Sequence, residues 1–256
     1  MIELKDLTKC YGSLLAVNRI NISVPRGEIF GFIGPNGAGK TTTIRMMGGI
    51  LAPTEGSIFI DGINMAAEPE KAKRRIGFIP DRPFLYEKLT GMEFMRFSAD
   101  MYGVDKKIFP EKSERLLKVF SLSDRAGELI EAYSHGMKQR LIIAAALLHD
   151  PAVIIVDEPM VGLDPAGIKM VKEIFRDLAG KETTIFMSTH TLEVAEDLCD
   201  RIGIIHRGSL IATGAIANLR QAARLQEGDL LKVFLRLTEE VEGPDTTYDK
   251  RNPYSL

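Results

Sequence analysis

The densest run of chemically capable residues is Gly34-Pro35-Asn36-Gly37-Ala38-Gly39-Lys40-Thr41-Thr42. Glycines at this spacing let a backbone turn its N–H groups inward around an anion, where side chains would collide. The lysine that follows can reach terminal phosphates, and the Thr41 hydroxyl can occupy a Mg²⁺ position. A glycine turn alone is common. Here Glu28–Ile33 reads as a buried strand and Thr42–Ile50 has helical spacing, so the run predicts a phosphate loop for a nucleoside triphosphate.

Two carboxylates complete that chemistry. Val153–Val156 is an apolar run that ends in Asp157-Glu158. Asp157 is placed to hold Mg²⁺, directly or through water, and Glu158 to orient or deprotonate an attacking water. A strand Thr184–Met187 leads to Ser188-Thr189-His190, where a histidine at the strand's carboxyl end can contact a γ-phosphate. A lone histidine is ordinarily structural, and His190 takes this reading from its neighbours. Ser134 precedes a helix as an N-cap, and with Gly136 makes a second helix terminus open to phosphate.

The positioning elements alternate in type. Short β-like runs fill the first thirty residues, with Tyr11-Gly12 on a loop between them; Gly56–Gly62 and Arg75–Pro80 are further strands. Helix signals then dominate to Leu148. Thr90-Gly91-Met92-Glu93 is a capping box, with Phe94, Phe97 and Met101 expected inward. Glu111–Phe120 is expected to bury Leu116, Val119 and Phe120, and the helix after Ser134 to bury Leu141, Ala144, Ala145 and Leu148. Strands return at 153–156, 184–187 and 202–205, with helices at about 166–179 and 192–199. Arg207-Gly208 is expected to turn a hairpin. This βαβ order predicts a mainly parallel sheet, and the helical block an inserted subdomain at about 83–152. Residues 239–256 lack apolar period and are expected to form a poorly ordered tail.

The 256 residues are 45% hydrophobic and 27% charged with a formal charge of −2, which gives no nucleic-acid footprint. Cys10 and Cys199 lie far apart and form neither a disulfide framework nor a zinc cluster, consistent with a reducing compartment. The charged N-terminus lacks the apolar core of a secretory signal, and the run 141–148 stops at His149-Asp150-Pro151. Work at a membrane would be done from its surface.

Over about residues 2–238 the chain resembles the nucleotide-binding subunits of ATP-binding-cassette (ABC) transporters. Residues 34–42 resemble the family's Walker A loop and 153–158 its Walker B strand. Residues 134–139 are similar to the signature, Gly162-Leu163-Asp164-Pro165 to the D-loop, and His190 to the switch histidine. Tyr11 is placed like the aromatic residue that stacks on adenine. The resemblance implies an α/β P-loop NTPase fold of the ABC-ATPase type, with a mainly parallel sheet core, an antiparallel β subdomain and the inserted helical subdomain. It implies ATP and Mg²⁺ as cofactors and Asp164 among the nucleotide contacts. It implies a head-to-tail pair in which Ser134 serves the partner's nucleotide, a homodimer being favoured over a heterodimer. It implies an integral-membrane permease subunit as the remaining partner, with this chain peripheral on the inner, cytoplasmic face of the cell membrane.

Two places depart from that pattern. Asp81 stands where glutamine is usual; it only accepts hydrogen bonds and brings charge, though it can hold Mg²⁺ through water. His135 and Met137 replace a glycine and a glutamine in the signature. The form Tyr-Ser-x-Gly-Met-Lys-Gln-Arg, together with the ending Leu231–Thr238, resembles exporters whose ATPase and membrane subunits are separate chains. A soluble ABC ATPase acting on ribosomes or DNA is the alternative; the tandem cassettes, coiled coils or zinc insertions usual there are not visible. A phosphate-loop kinase would use Lys40 and Asp157 equally well, but has no need of the signature or His190.

Overall fold

The computed structural model describes residues 1–82, 84–223 and 229–242. Two sheets organise it. Strands β1 (Ile2–Tyr11), β2 (Leu14–Val24), β4 (Glu55–Ile60) and β5 (Ile63–Asn64) form an antiparallel sheet in the order β2-β1-β4-β5. Strands β3 (Ile29–Ile33), β6 (Ile76–Ile79), β7 (Val153–Asp157), β8 (Thr184–Thr189), β9 (Arg201–His206) and β10 (Ser209–Gly214) form the second, ordered β10-β9-β3-β8-β7-β6. All neighbours in it are parallel except the β9–β10 hairpin, which turns at Arg207-Gly208.

The central strands carry apolar side chains at nearly every position because both their faces are covered. In β3, Phe30 and Phe32 face the antiparallel sheet and α1 (Lys40–Met47), whereas Ile29 and Ile33 face the other helices. Phe186 of β8 lies against both phenylalanines, with ring centroids 5.4 Å away in each case. In β7 the same alternation sends Val153 and Ile155 one way and Ile154 and Val156 the other.

Helix α2 (Pro69–Lys73) precedes β6; α3 (Gly91–Tyr102), α4 (Phe109–Val119) and α5 (His135–Ala146) lie between β6 and β7. The capping box forms: Thr90 Oγ1 accepts from the Glu93 amide at 3.2 Å, and Glu93 Oε2 from the Thr90 amide at 2.7 Å. Its buried face is Phe94, Met95 and Ala99 rather than the expected Phe94, Phe97 and Met101. Phe97 instead meets the Tyr86 ring edge-on on the outer side, at 5.2 Å between centroids, and Met101 is exposed. In α4, Leu116 and Phe120 are buried as expected but Val119 is exposed, with Leu117 taking its place. Helix α5 is buried on all sides from Leu141 onward, so its expected stripe is part of a wider contact.

The remaining helices are α6 (Pro165–Ala179), α7 (Leu192–Leu198), α8 (Ile216–Ala222) and α9 (Leu230–Glu242). Helix α9 buries Leu230 and Val233 and runs to Glu242, into the segment 239–256 expected to form a poorly ordered tail. The rest of that expected tail, 243–256, lies outside the described residues. Among the described residues no helix is long and apolar enough to cross a membrane.

Candidate nucleotide site

The loop between β3 and α1 needs backbone geometry that a side chain would forbid. Gly37 and Gly39 have φ of 79° and 110°, in the left-handed region. A Cβ on Gly39 would also meet the Ala16 carbonyl oxygen at 2.6 Å, whereas one on Gly37 would meet nothing within 4 Å. The loop is thus pressed against β2 at its base and open at its tip. Helix α1 starts without a side-chain cap, leaving its first N–H groups to an external acceptor. That is a cradle for phosphate.

Lys40 is 8% exposed, and its Nζ donates to the Gly34 carbonyl at 2.6 Å and the Pro35 carbonyl at 3.1 Å. Burial holds its pKa below the ordinary lysine value, and the charges of Glu158 and Asp157 partly offset that. A cation whose hydrogen bonds, among the described residues, go to backbone carbonyls is poised to take a stronger anionic acceptor.

Parallel strands end together at this loop, as expected for ligand sites in open α/β sheets. At the end of β7, Asp157 accepts from Thr41 Oγ1 at 2.9 Å and, on its other oxygen, from the Ser188 hydroxyl. Glu158 follows with φ of 53°, uncommon outside glycine, asparagine and aspartate. That backbone turns its carboxylate toward the end of β8. There Oε2 accepts from Thr189 Oγ1 at 3.3 Å and Oε1 lies 2.7 Å from His190 Nδ1. The paired Thr41 hydroxyl and Asp157 carboxylate fit a hard cation that takes oxygen ligands, with phosphate oxygens supplying the rest. Among the described residues no three acidic, histidine or cysteine side chains gather to hold a metal alone.

A cleft of about 550 Å³ joins these groups. Asn36, Gly37, Gly39, Lys40, Thr41, Thr42, Asp81, Asp157, Glu158 and His190 all line it, and Tyr11 stands at its wall. Gly34, Pro35 and Ala38 do not: Gly34 and Ala38 are buried, Pro35 is exposed, and the carbonyls of Gly34 and Pro35 hold Lys40. Leu14, Ala16 and Val161 also line the cleft, and no sequence motif marked them. Leu14 and Ala16 arrive because β2 packs against the phosphate loop, and Val161 because the loop after Glu158 passes the cleft. Ser188 is likewise legible only once β7 and β8 are known to be neighbours.

Three expected contacts lie elsewhere in the chain. Ser134 caps α5, accepting from the Met137 amide at 3.3 Å, and Gly136 lies beside it. Neither lines the cleft, as befits residues expected to serve a second subunit. Asp164 caps α6 by accepting from the Gly167 amide at 3.0 Å, and its expected nucleotide contact is not made within this chain. The cap geometry turns its carboxylate onto its own helix.

Comparison with known proteins agrees with this geometry. The profile described as "ABC transporter" matches residues 17–161. The bacitracin transport ATP-binding protein BcrA of Bacillus licheniformis is 43% identical over 225 residues, covering 88% of this chain and 72% of BcrA. A solved ATP-binding subunit of an ABC transporter superposes with a TM-score of 0.89 at 36% identity, over 93% of this chain and 100% of that one. The cassette MJ0796, solved as a dimer in a post-hydrolysis state with ADP and Pi, gives a TM-score of 0.75 at 27% identity. That match covers 84% of this chain and 99% of MJ0796. With the phosphate cradle, the strand-end carboxylates and His190 in one cleft, the chain belongs to the ABC transporter family, as an ATP-binding subunit that hydrolyses ATP.

Proposed function

We propose that the chain powers export through a separate integral-membrane permease, from the inner, cytoplasmic face of the cell membrane. Two copies work head to tail. The observation that carries this reading is a division of parts: one cleft gathers Lys40, Thr41, Asp157, Glu158 and His190, while Ser134 and Gly136 do not line it. A homodimer satisfies both with two-fold symmetry, each chain lending its α5 terminus to the other's nucleotide. Residues 1–238 act as one ATPase domain, with the helices at about 83–152 inserted in it.

In the closed pair Lys40 takes the β- and γ-phosphates in place of the Gly34 and Pro35 carbonyls. Glu158 orients a water on the γ-phosphorus and accepts its proton, while His190 holds Glu158 and meets the phosphate. The new P–O bond forms as the bond to the β-phosphate oxygen breaks, giving ADP and phosphate. Thr41 and Asp157, with Asp81 through water, would hold Mg²⁺, whose chemistry is to neutralise charge on the phosphate oxygens. Tyr11 gives the adenine a ring face at the mouth. Product loss then removes the anion that holds the pair together, a two-state switch biased by the γ-phosphate.

Export rests on the Tyr133–Arg140 form and on the match to a bacitracin transport subunit. A mild-detergent pull-down of the tagged chain from its own cells, followed by mass spectrometry, tests the partner. A multispanning protein in stoichiometric amount, altering ATP turnover, is the expected result. Ribosomes or nucleic acid instead would transfer the chain to the soluble ABC class.

A further inference from the structure

The start of α5 is interlocked with the loop that follows Glu158. Gly162 has φ of 78°, and a Cβ built on it would run into the His135 ring, with Cε1 at 2.7 Å, Cγ at 3.0 Å and Nδ1 nearer still. In the other direction, a Cβ on Gly136 would lie 3.0 Å from the Gly162 carbonyl oxygen and 3.8 Å from Leu163 Cδ2. One turn further along α5, the buried Gln139 reaches the Pro159 carbonyl with its Nε2 at 3.4 Å. Three residues of α5, His135, Gly136 and Gln139, thus bear on residues 159–163, which join the catalytic carboxylate to α6.

We propose that His135 is a positioning residue: its ring is the wedge that makes the α5 terminus and the 158–164 loop move as one body. The inference rests on the two-subunit reading above. In that arrangement the α5 terminus serves one nucleotide and Glu158 serves the other, so the wedge links the two clefts within a single chain. A small residue at 135 would leave a gap beside Gly162, and the loop could shift without carrying α5 along. The close fit also explains why Gly162 must lack a side chain here, apart from its left-handed backbone.

A double-mutant cycle separates contact from strain. Gly162→Ala carries the same backbone penalty in any background, but it collides with the ring only when His135 is present. Steady-state ATP turnover of the full chain is measured for wild type, His135→Gly, Gly162→Ala and the pair, with circular dichroism melts confirming that each folds. The expected result is that Gly162→Ala costs at least about tenfold more turnover in wild type than in His135→Gly, a coupling of about 1.4 kcal/mol. Equal costs in both backgrounds would overturn the wedge. If Gly162→Ala fails to fold, ATP concentration curves for His135→Gly and His135→Asn decide. Asparagine keeps atoms at the Cγ and Nδ1 positions that touch Gly162, so it should recover most of the sigmoidal ATP dependence that His135→Gly loses. Identical curves for the two variants would overturn the proposal. ATP-dependent dimerisation of Glu158→Gln is the separate control: its failure would refute the two-subunit reading, while the cycle still tests the contact within the chain.

Discussion

Replacing Glu158 by glutamine isolates the proton acceptor from the scaffold that holds it. Among the described residues the carboxylate has two hydrogen-bond partners, His190 Nδ1 at 2.7 Å and Thr189 Oγ1 at 3.3 Å. Glutamine keeps the shape and can satisfy both, its carbonyl oxygen accepting from the imidazole and its amide donating to the threonine hydroxyl. Stability should therefore change by less than about 1 kcal/mol. What disappears is the capacity to accept a proton from water. Such a group contributes about a hundredfold to ten-thousandfold, or about 2.7–5.4 kcal/mol of barrier at 1.36 kcal/mol per decade. Phosphate release at saturating MgATP should fall by that factor, while equilibrium binding of ATP stays within about twofold of wild type. Light scattering should show an ATP-bound dimer that persists, since the step that opens it is blocked. Turnover within threefold of wild type, with binding intact, would remove Glu158 from the base role and refute the reasoning.

Lys40→Ala should weaken ATP binding by at least about tenfold, because a hydrogen bond to a charged group contributes about 1.5–3 kcal/mol; calorimetric titration measures it. Phe186→Ala removes the ring lying between Phe30 and Phe32 and should cost about 3–5 kcal/mol in urea unfolding. His149 stacks on Tyr102 with ring centroids 3.8 Å apart, and its Nε2 lies 3.0 Å from the Ile76 carbonyl oxygen. Burial, helped by nearby Lys112 and opposed by the Ile76 contact and Asp150, lowers its pKa below 6.5. The unfolded chain therefore binds the proton more readily, and the neutral imidazole's contribution is full above pH 6.5 and declines below it. Urea unfolding between pH 7 and 5 should show a steeper loss for wild type than for His149→Phe; parallel curves would contradict it.

Local chemistry was readable from the chain, and long-range placement was not. The phosphate loop announces itself by glycines between a strand and a helix, and the Thr90–Glu93 box by a spacing that satisfies two amides at once. Asp157, Glu158 and His190 were legible because each ends an apolar run. The face of α3 was not legible because Phe94 is compatible with two stripes, one with Met95 and Ala99 and one with Phe97 and Met101. Packing chose Met95 and Ala99, and gave Phe97 to Tyr86 outside. The positive φ of Glu158 has no sequence mark, since nothing in a glutamate's propensity favours it. Val161, Leu14 and Ala16 are similarly silent: they join the cleft only through loops and pairings set elsewhere.

The order of strands has a bearing on how the protein is made. The strand that carries the phosphate loop, β3, is paired on one side with β8 and on the other with β9, whose residues end at 189 and 206. During synthesis it therefore waits, apolar, with both edges bare until residue 189 has emerged and one still bare until residue 206. Bare apolar edges of this kind invite wrong pairing and aggregation. The groove that receives the nucleotide is consequently among the last features to take shape, and no amino-terminal fragment ending before β8 could bind as the whole chain does. Once the sheet closes, every molecule of ATP bound to it favours the completed fold over the nascent one. The fuel of the transporter is thereby also a ligand that rewards finishing the chain.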